Sequence, residues 1–382
     1  MDENRICQRC IMTNHSDSNI RFDANGYCHY CTQALIRCKN EYFPNAEGEH
    51  KLNEMLKEIK EYGKENQYDC LMGISGGLDS AYLAYLGTQK WGLKVAALHI
   101  DDGFDTEIAQ ENIKKLCEKC KIALQIIRPD AKQYRELIRA YFLAGVPNLA
   151  VPQDNILFSH LHDFARATKT KYFLSGGNFA LECILQEGNT YTAYDAVNIK
   201  DINKKFGRDK TDRLSILSQW GRARDYYSGK IIEERPLNYI DYNRQRAIDE
   251  LGEFCGFQYY GSKHLENLFT AFVQLYWFPK KFGVDKRTSH LSSMIVSDQM
   301  TRDAAMEKMS EPLYDEEWMK GAIERIKDEF DFSDDEFDKI IKSLPHQHTD
   351  YKVDKRYEFV FRTLPKWKKK VFEVIGKRGT AK

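Results

Sequence analysis

The sequence predicts a doubly wound parallel α/β sheet, preceded by a small zinc ribbon and followed by a mostly helical region. Three observations predict it: two Cys-x-x-Cys pairs near the N-terminus, short apolar segments alternating with helical segments in the middle, and amphipathic helical patterns beyond them. We place the boundaries at 1–40 for the ribbon, 41–66 for a connecting helix, 67–240 for the α/β domain and 241–382 for the helical region.

The composition is that of an ordinary globular protein, with 42% hydrophobic and 30% charged residues in 382. Lys plus Arg and Asp plus Glu balance at 57 each, so no net charge attracts nucleic acid. We expect a cytoplasmic protein without membrane contact, because the chain lacks an apolar stretch of about 18 residues and a signal-peptide core. In that compartment, ten cysteines indicate metal ligands or buried thiols rather than disulfides.

Four cysteines predict a structural zinc site in the first domain: Cys7, Cys10, Cys28 and Cys31. Two closely spaced pairs supply four thiolates to one tetrahedral ion. A segment this short has little core of its own, so the ion would stabilise its fold. A saturated four-sulfur site leaves no position for a substrate. Free thiols at chance spacing are the alternative interpretation.

The middle of the chain alternates between strand and helix patterns. Residues 41–67 are charged, with Leu52, Met55, Leu56 and Ile59 at helical spacing, which predicts the connecting helix. Apolar strand segments follow at 68–74, 94–100, 123–127 and 171–174. Helical segments lie between them at 81–86, 106–120, 133–143 and 155–168. This order predicts parallel pairing, with a ligand site beyond the carboxyl ends of the strands.

A glycine-rich turn joins the first strand to its helix, formed by Ser75, Gly76, Gly77, Leu78, Asp79 and Ser80. The glycines let an anion approach the backbone closely, and the N–H groups that open the helix favour negative charge. Asp79 fits beside phosphate when Mg²⁺ lies between them. A plain turn in which Asp79 caps the helix is the alternative. The motif is not a Walker loop, because it has no lysine.

SGGLDS after a first strand resembles the pyrophosphate loop of the PP-loop ATP pyrophosphatase superfamily, with its adenine nucleotide alpha hydrolase-like fold. The resemblance implies that ATP is cleaved between its α and β phosphates, that a substrate oxygen receives AMP, and that a nitrogen or sulfur nucleophile displaces it. It implies nucleotide contacts at His99, Ile100 and Gly176 as well as at the loop. Asp101 and Asp102 are candidates for ribose or metal, although Asp-Asp-Gly is equally good turn chemistry.

Three separated motifs together resemble the N-acetyl sugar amidotransferases: CQRC with GYCHYC, SGGLDS, and the stretch from YYGSKHLENLF to SDQMTRDAA. The resemblance runs from about Arg5 to Met309. This family makes the acetamidino sugars of bacterial surface polysaccharides, such as lipopolysaccharide O-antigens, and of nonulosonic acids. Membership would imply that MgATP adenylates the acetamido oxygen of a sugar and that ammonia then displaces AMP.

The resemblance implies catalytic roles for Asp79, Lys263, Lys286, Arg287 and His290. Lys263 or Lys286 would reach phosphate oxygens, and Arg287 would bind a carboxylate or a nucleotide phosphate. His290 or Glu266 would accept the proton released when ammonia adds. For any single residue, a salt-bridged helical surface is the alternative.

The substrate-binding candidates are Asn178, Glu182, His264, Glu266, Lys281 and Asp285. Asn178 and Glu182 follow the 171–174 strand and would bind the acetamido group, or else form a polar loop that needs no ligand. We expect a separate glutaminase subunit to supply the ammonia, because the chain has no glutaminase nucleophile with a supporting histidine. The basic stretch 365–370 is one candidate docking surface, and Ser333 with Glu336 predicts a capping box without chemistry.

Two other functions compete with sugar amidation. Thiolation of transfer RNA would need thiols near the nucleotide. We expect Cys117, Cys120 and Cys183 to be buried structural thiols instead. LSGGNFALE also departs from the Gly-His-x-x-Asp-Asp-like motif of the thiolating branch, and the neutral charge makes nucleic acid an unlikely partner. A non-catalytic subunit that keeps the fold is disfavoured by the intact SGGLDS.

Overall fold

A five-stranded parallel sheet lies at the centre of the protein. The computed structural model describes residues 5–15, 17, 19–261 and 265–360. The strands are β1 (Cys70–Gly73), β2 (Val95–Ile100), β3 (Ala123–Ile127), β4 (Tyr172–Leu174) and β5 (Ile232–Glu234). They pair in parallel in the order β3-β2-β1-β4-β5. Successive strands are added on one side of β1 up to β3 and on its other side from β4 onward. This switch in strand order between β1 and β4 opens a crevice at their carboxyl ends.

Helices make up most of the remaining structure. In chain order they are α1 (His29–Glu41), α2 (Ala46–Gly63), α3 (Leu78–Tyr85), α4 (Glu107–Cys120), α5 (Ala131–Ala144), α6 (Val151–Thr168), α7 (Phe179–Glu182), α8 (Ala196–Phe206), α9 (Gln219–Tyr227), α10 (Arg244–Cys255), α11 (Leu268–Phe272), α12 (Lys286–Val296), α13 (Arg302–Ser310), α14 (Glu316–Phe330), α15 (Asp334–Lys342) and α16 (Lys355–Glu358). None of the described helices combines the length and apolar character needed to cross a membrane.

Both faces of the sheet are covered, which confirms the doubly wound class. Cys70 and Met72 of β1 join an apolar cluster with residues of α3, α4 and α10. The intervening Leu71 joins a second cluster with Leu161 and Ala165 of α6. This alternation follows the two-residue period of a strand, so β1 is buried on both sides.

The predicted strands and helices are confirmed, with changes at their ends. β1 begins at Cys70 instead of residue 68. Thr106 precedes α4 and caps it, with its hydroxyl accepting a hydrogen bond from Ala109 N–H at 3.2 Å. α6 begins at Val151 instead of residue 155, because Pro152 fits the first turn of a helix.

The connecting helix forms as α2, which buries Leu52, Leu56 and Ile59. These side chains belong to the same apolar cluster as Met72 and the N-terminal cysteines. Gly26 has a φ of +77°, the left-handed conformation that favours glycine, two residues before Cys28. The N-terminal segment therefore shares a core with one face of the sheet.

The C-terminal helices form a separate apolar cluster around Phe142, Trp277 and Phe330. The chain from Val273 to Phe282 continues α11 as a wider π-helical turn and contains Pro279. The predicted capping box is confirmed: Glu336 N–H donates to Ser333 Oγ at 3.2 Å, and Ser333 N–H donates to Glu336 Oε2 at 3.3 Å.

Candidate active site

A cavity of about 730 Å³ lies beyond the carboxyl ends of β1, β2 and β4. Its walls come from the glycine-rich turn, the strand ends, α6, residues 259–261 and 265–267, α12, and residues in the range 308–313. This is the position at which the strand order predicts a ligand. The C-terminal region thus faces the sheet across one cavity.

The glycine-rich turn closes on itself before α3 begins. Gly77 N–H donates to Ser75 Oγ at 3.2 Å, and the Ser80 hydroxyl donates to the Gly77 carbonyl at 3.2 Å. From across the cavity, the Tyr260 hydroxyl accepts a hydrogen bond from Leu78 N–H at 2.9 Å. Backbone donors of the turn therefore point at the cavity side of the loop, where an anionic ligand would compete with Tyr260 for them.

Glycine is required in the turn because neighbouring groups approach its backbone closely. Gly76 has a φ of +80°, and a Cβ there would lie 2.8 Å from the Ala109 Cβ. A Cβ on Gly77 would lie 2.7 Å from Glu266 Oε1, and one on Gly176 would lie 3.1 Å from Ser80 N. Gly77 and Gly176 line the cavity with bare backbone, which fits a phosphate cradle, whereas Gly76 faces Ala109 of α4 and does not line the cavity.

Asp79 is positioned by a tyrosine rather than used as a helix cap. Gly77 occupies the N-cap of α3 without a side-chain capping bond, so the capping interpretation of Asp79 is wrong. Asp79 Oδ1 accepts a hydrogen bond from the Tyr242 hydroxyl. Burial, followed by the charge of Asp79, raises the pKa of Tyr242 well above its usual value, which keeps Tyr242 a donor. Asp79 and Glu266 place carboxylates beside the turn, a donor set that suits Mg²⁺.

His99 links the end of β1 to the loop after β2. Its Nδ1 lies 2.8 Å from the Ile74 carbonyl oxygen, its Nε2 lies 2.8 Å from Asp105 Oδ2, and it is 7% exposed. Burial alone would lower the pKa of His99, but the hydrogen bond and charge of Asp105 outweigh it and raise the pKa. His99 and Ile100 both line the cavity, as predicted for a nucleotide contact.

Asp101 and Asp102 do not line the cavity. Asp101 pairs with Arg128 at 2.9 Å on the surface. Asp102 is half-buried and accepts hydrogen bonds from Phe104 N–H at 3.0 Å and Gln153 Nε2 at 2.5 Å. Burial raises its pKa to about 6. Turn chemistry therefore accounts for both carboxylates.

Two of the polar candidates after β4 differ in their placement. Gly176 and Glu182 line the cavity. Asn178 is buried and caps α7: its Oδ1 accepts from Leu181 N–H at 2.9 Å and its Nδ2 donates to the Gly176 carbonyl at 3.1 Å. Asn178 thus holds the glycine turn after β4 instead of reaching the cavity.

Arg287 and His290 of α12 line the opposite wall. Asp285 caps α12 and forms an ion pair with Arg287 at 2.8 Å. Arg287 Nη1 also donates to the carbonyls of Lys308 and Glu311, at 3.3 and 3.0 Å. These contacts fix the guanidinium at the rim, where Lys308 and Glu311 also line the cavity.

The two described lysine candidates lie outside the cavity wall. Lys281 Nζ donates to the carbonyls of Ile340 and Ser343, at 2.6 and 2.9 Å, and so caps α15. Lys286 Nζ lies 5.6 Å from the centre of the Phe278 ring, and burial lowers its pKa to about 8. Lys263 and His264 lie outside the described residues.

Several cavity residues were missed by sequence reasoning. They include Tyr260 and Arg244, together with Asp154 on α6. Asp154 shares one helical face with Leu157 and Phe158, because residues three or four apart are neighbours on a helix. A lone carboxylate on that apolar face was a signal in the sequence. Burial raises the pKa of Asp154 to about 7.

The four N-terminal cysteines lie together and are fully buried. Cys7 Sγ is 3.7 Å from Cys31 Sγ, Cys10 Sγ is 3.6 Å from Cys28 Sγ, and all four sulfur atoms lie within 4.8 Å of one another. Tetrahedral thiolates at ~2.3 Å from zinc would lie ~3.8 Å apart. The four-cysteine cluster therefore fits one zinc ion.

The four-cysteine cluster packs against the cavity wall. Ile11 N–H, just after the first pair, donates to Ser292 Oγ of α12 at 3.3 Å. Arg302 donates to the carbonyls of Cys7 and Cys10, both at 3.2 Å. The same helix α12 presents His290 to the cavity, so the cluster braces this side of the site.

The remaining thiols of interest are buried. Cys117 and Cys120 lie at the end of α4, on the side of the sheet away from the cavity. Cys183 is buried beside the Ser293 carbonyl. Burial raises the pKa of Cys117 and of Cys183 to about 12. No cysteine in the described part of the chain lines the cavity.

The C-terminal region matches a protein family. Residues 266–365, about a quarter of the chain, match the family described as LPS biosynthesis protein WbpG-like, C-terminal domain. An uncharacterized protein of Methanocaldococcus jannaschii is 26% identical over 125 residues, which is 32% of this chain. The chain spans 43% of the length of that relative.

Solved structures of three proteins are similar at low scores. NMN synthetase from Francisella tularensis has a TM-score of 0.34 and 14% identity, covering 74% of this chain and 93% of its own. NH3-dependent NAD synthetase from Campylobacter jejuni has a TM-score of 0.28 and 19% identity, covering 55% of this chain and 93% of its own. U34-tRNA thiolase from Methanococcus maripaludis has a TM-score of 0.31 and 13% identity, covering 85% of this chain and 88% of its own. At these scores the similarities carry no argument about the chemistry of the cavity.

Proposed function

We propose that the protein is an ATP-dependent amidotransferase that converts the acetamido group of an N-acetyl sugar into an acetamidino group during surface polysaccharide synthesis. One observation carries the proposal: the glycine-rich turn and the segment that matches the LPS biosynthesis domain line the same cavity. Gly77 and Asp79 of the turn line it, as do Glu266, Arg287 and His290 of the matching segment, and Glu266 lies next to the turn. Nucleotide chemistry and a polysaccharide-related substrate would thus meet in one place.

In the first step, the amide must be activated. An amide is a poor electrophile, because its nitrogen donates electrons into the carbonyl and oxide is a poor leaving group. The acetamido oxygen attacks the α-phosphorus of ATP, a P–O bond forms, and the bond to the β-phosphate oxygen breaks. The turn at residues 75–80 holds the departing pyrophosphate through its N–H groups and the Ser75 and Ser80 hydroxyls. Mg²⁺ bound with ATP, next to Asp79, would neutralise part of the phosphate charge.

In the second step, ammonia forms the new C–N bond and AMP leaves with the C–O bonding electrons. The proton lost by nitrogen needs a nearby base, and both His290 and Glu266 line the cavity. Arg287 is fixed at the rim, where its charge favours the departing phosphate. Water-excluded chemistry also requires ammonia from a protected source, which we propose is a separate glutaminase subunit.

Thiolation of tRNA is the competing function, and the thiols argue against it. A sulfur carrier must reach the activated carbon as a thiolate. Cys117, Cys120 and Cys183 are buried and do not line the cavity, and burial raises their pKa. The four-cysteine cluster is consumed by a structural ion if zinc binds there.

The test is an assay with ATP, Mg²⁺, ammonium and a panel of acetamido sugars. One sugar should give AMP, pyrophosphate and a product lighter by about one mass unit, because NH replaces O. Glutamine should not replace ammonium when the chain is alone. Formation of ADP, or nucleotide cleavage that no sugar stimulates, would contradict the proposal.

A further inference from the structure

One side of the cavity is formed by a face of α6 that the proposed steps above leave without a role. This face presents Ala150, Gln153, Asp154, Leu157 and Phe158 to the cavity. Their spacing of three and four residues is that of one side of a helix. Its only ionisable member is Asp154, and its other members are apolar except Gln153.

The α6 face stands next to the end of β1, where the glycine-rich turn begins. A Cβ built on Gly73 would lie 3.5 Å from Leu157 Cδ2, so the helix contacts the last residue of the strand. Asp154 lies one turn toward the N-terminus of α6 from Leu157, the direction in which helical side chains tilt. Its carboxyl group therefore faces the space beyond the strand end.

Asp154 differs from its neighbour Asp102, which is also half-buried, in its surroundings. Asp102 is surrounded by donors, namely Phe104 N–H, Gln153 and Asn267. Within the part of the chain that the structure describes, no group donates a hydrogen bond to the Asp154 carboxyl, and burial alone raises its pKa to about 7. A carboxylate in apolar surroundings without donors is a stronger base than an exposed one.

Stability does not explain Asp154. An ionised carboxylate in apolar surroundings costs folding free energy unless it is paired. An apolar side chain in its place would extend the surface of Leu157 and Phe158. A carboxylate retained at such a position points to a role in the chemistry of the cavity.

We propose that Asp154, rather than His290 or Glu266, is the general base for the amidation step, taking a proton from the ammonia nitrogen as the C–N bond forms. This rests on the proposed function. The nitrogen lone pair attacks the adenylated carbon, and one N–H proton passes to a carboxylate oxygen of Asp154. The C–O bond then breaks, and its electron pair leaves with AMP. Asp154 has no part in adenylation, so the two steps are separable.

The groups around Asp154 bear on its titration. Tyr134 of α5, which is buried, and Tyr194, which is half-buried, face it, and burial raises the pKa of both, so neither carries charge near neutral pH. His99 and Asp105 line the same cavity from the strand end and the following loop. Asp102 lies behind Gln153 and is held by its donors.

The experiment compares the parent with Asp154→Asn in two reactions. Sugar-dependent exchange of labelled pyrophosphate into ATP reports adenylation, and formation of the acetamidino product with ammonium reports amidation. We expect exchange within about threefold of the parent and a loss of amidation of about 100-fold. Asp102→Asn is the matched control for loss of a half-buried carboxylate, and it should lower the melting temperature.

Stability gives an independent readout. The folded pKa of Asp154 lies above the unfolded value of about 3.9, so its ionisation destabilises the parent increasingly as pH rises from about 4 to 7. Asp154→Asn should therefore melt at or above the parent temperature at pH 8, with the gain shrinking toward pH 4.

The outcomes separate the two proposals. Parent protein without sugar-dependent exchange would refute the proposed function. Parent exchange with an unchanged amidation rate in Asp154→Asn would refute the role of Asp154, as would loss of exchange and amidation together. A melting temperature below the parent at pH 8 would show a structural role and would also overturn the inference.

Discussion

At the scale of single residues, Gly76 shows how tightly the turn is built. Its φ of +80° and the 2.8 Å separation between a Cβ there and the Ala109 Cβ both exclude a side chain. Gly229 has a similar φ of +64°, but a Cβ there would meet nothing within 4 Å. A side chain at Gly76 would meet both backbone strain and a steric clash, whereas one at Gly229 would meet backbone strain alone.

We therefore predict that Gly76→Ala abolishes measurable ATP binding and destabilises the protein, whereas Gly229→Ala retains full binding. Strain in the left-handed region alone costs about 1–2 kcal/mol, and Gly76→Ala adds a clash with α4. Calorimetric titration with ATP and thermal melting measure the two effects. Equal ATP affinity in Gly76→Ala and the parent would contradict a backbone cradle at this turn.

Individual side-chain roles were the hardest features to predict. Arg287 and Lys281 both stand in the same charged stretch, yet only Arg287 lines the cavity, while Lys281 caps α15. Which of the two side chains reaches the cavity depends on how their helices pack against α15 and the sheet. Local sequence patterns do not determine that packing. Glu266 was predicted at the site and lies there because its segment pairs with the loop after β2, with Thr106 N–H donating to the Glu266 carbonyl at 3.0 Å.

At the scale of elements, local patterns predicted the strands that are apolar and the helices that are amphipathic. β5 escaped prediction because its Ile-Glu-Glu sequence is short and its residues are half-buried. The predicted helix at 155–168 begins four residues later than α6, so the prediction does not include Asp154 in the helix. Elements whose signal is weak in the sequence are those that tertiary contacts define.

The four-cysteine cluster supplies a prediction at this scale. Purified protein should contain one zinc ion per chain, and a chelator should lower its melting temperature by roughly 5 °C or more. Ile11, next to the cluster, contacts Ser292 of α12, a helix that lines the cavity. Removal of zinc should therefore also lower the rate of the proposed amidation. Cys28→Ser should reproduce the loss of zinc.

The matched control for the zinc prediction is Cys38→Ser. Cys38 is half-buried on α1 and stands outside the cluster. It should keep both zinc and stability. Zinc-free protein that melts at the temperature of the zinc-bound form would contradict a structural role for the ion.

At the scale of the whole molecule, topology determines where the chemistry is placed. The strand order alone predicts a site at the carboxyl ends of β1 and β4, and the cavity lies there. The covering wall from the C-terminal helices was not predictable in detail, because it depends on contacts between residues far apart in sequence. Leu78 N–H and the Tyr260 hydroxyl, which meet at 2.9 Å, are one such pair.

The central claim is that the acetamido oxygen becomes bonded to the α-phosphorus of ATP in this cavity. The most direct test uses a sugar whose acetamido oxygen is ¹⁸O, with ATP, Mg²⁺ and ammonium, and mass spectrometry of the nucleotide product. Our account predicts one ¹⁸O atom in AMP for each acetamidino group formed, and none in pyrophosphate. Unlabelled AMP, or label in inorganic phosphate released with ADP, would contradict it.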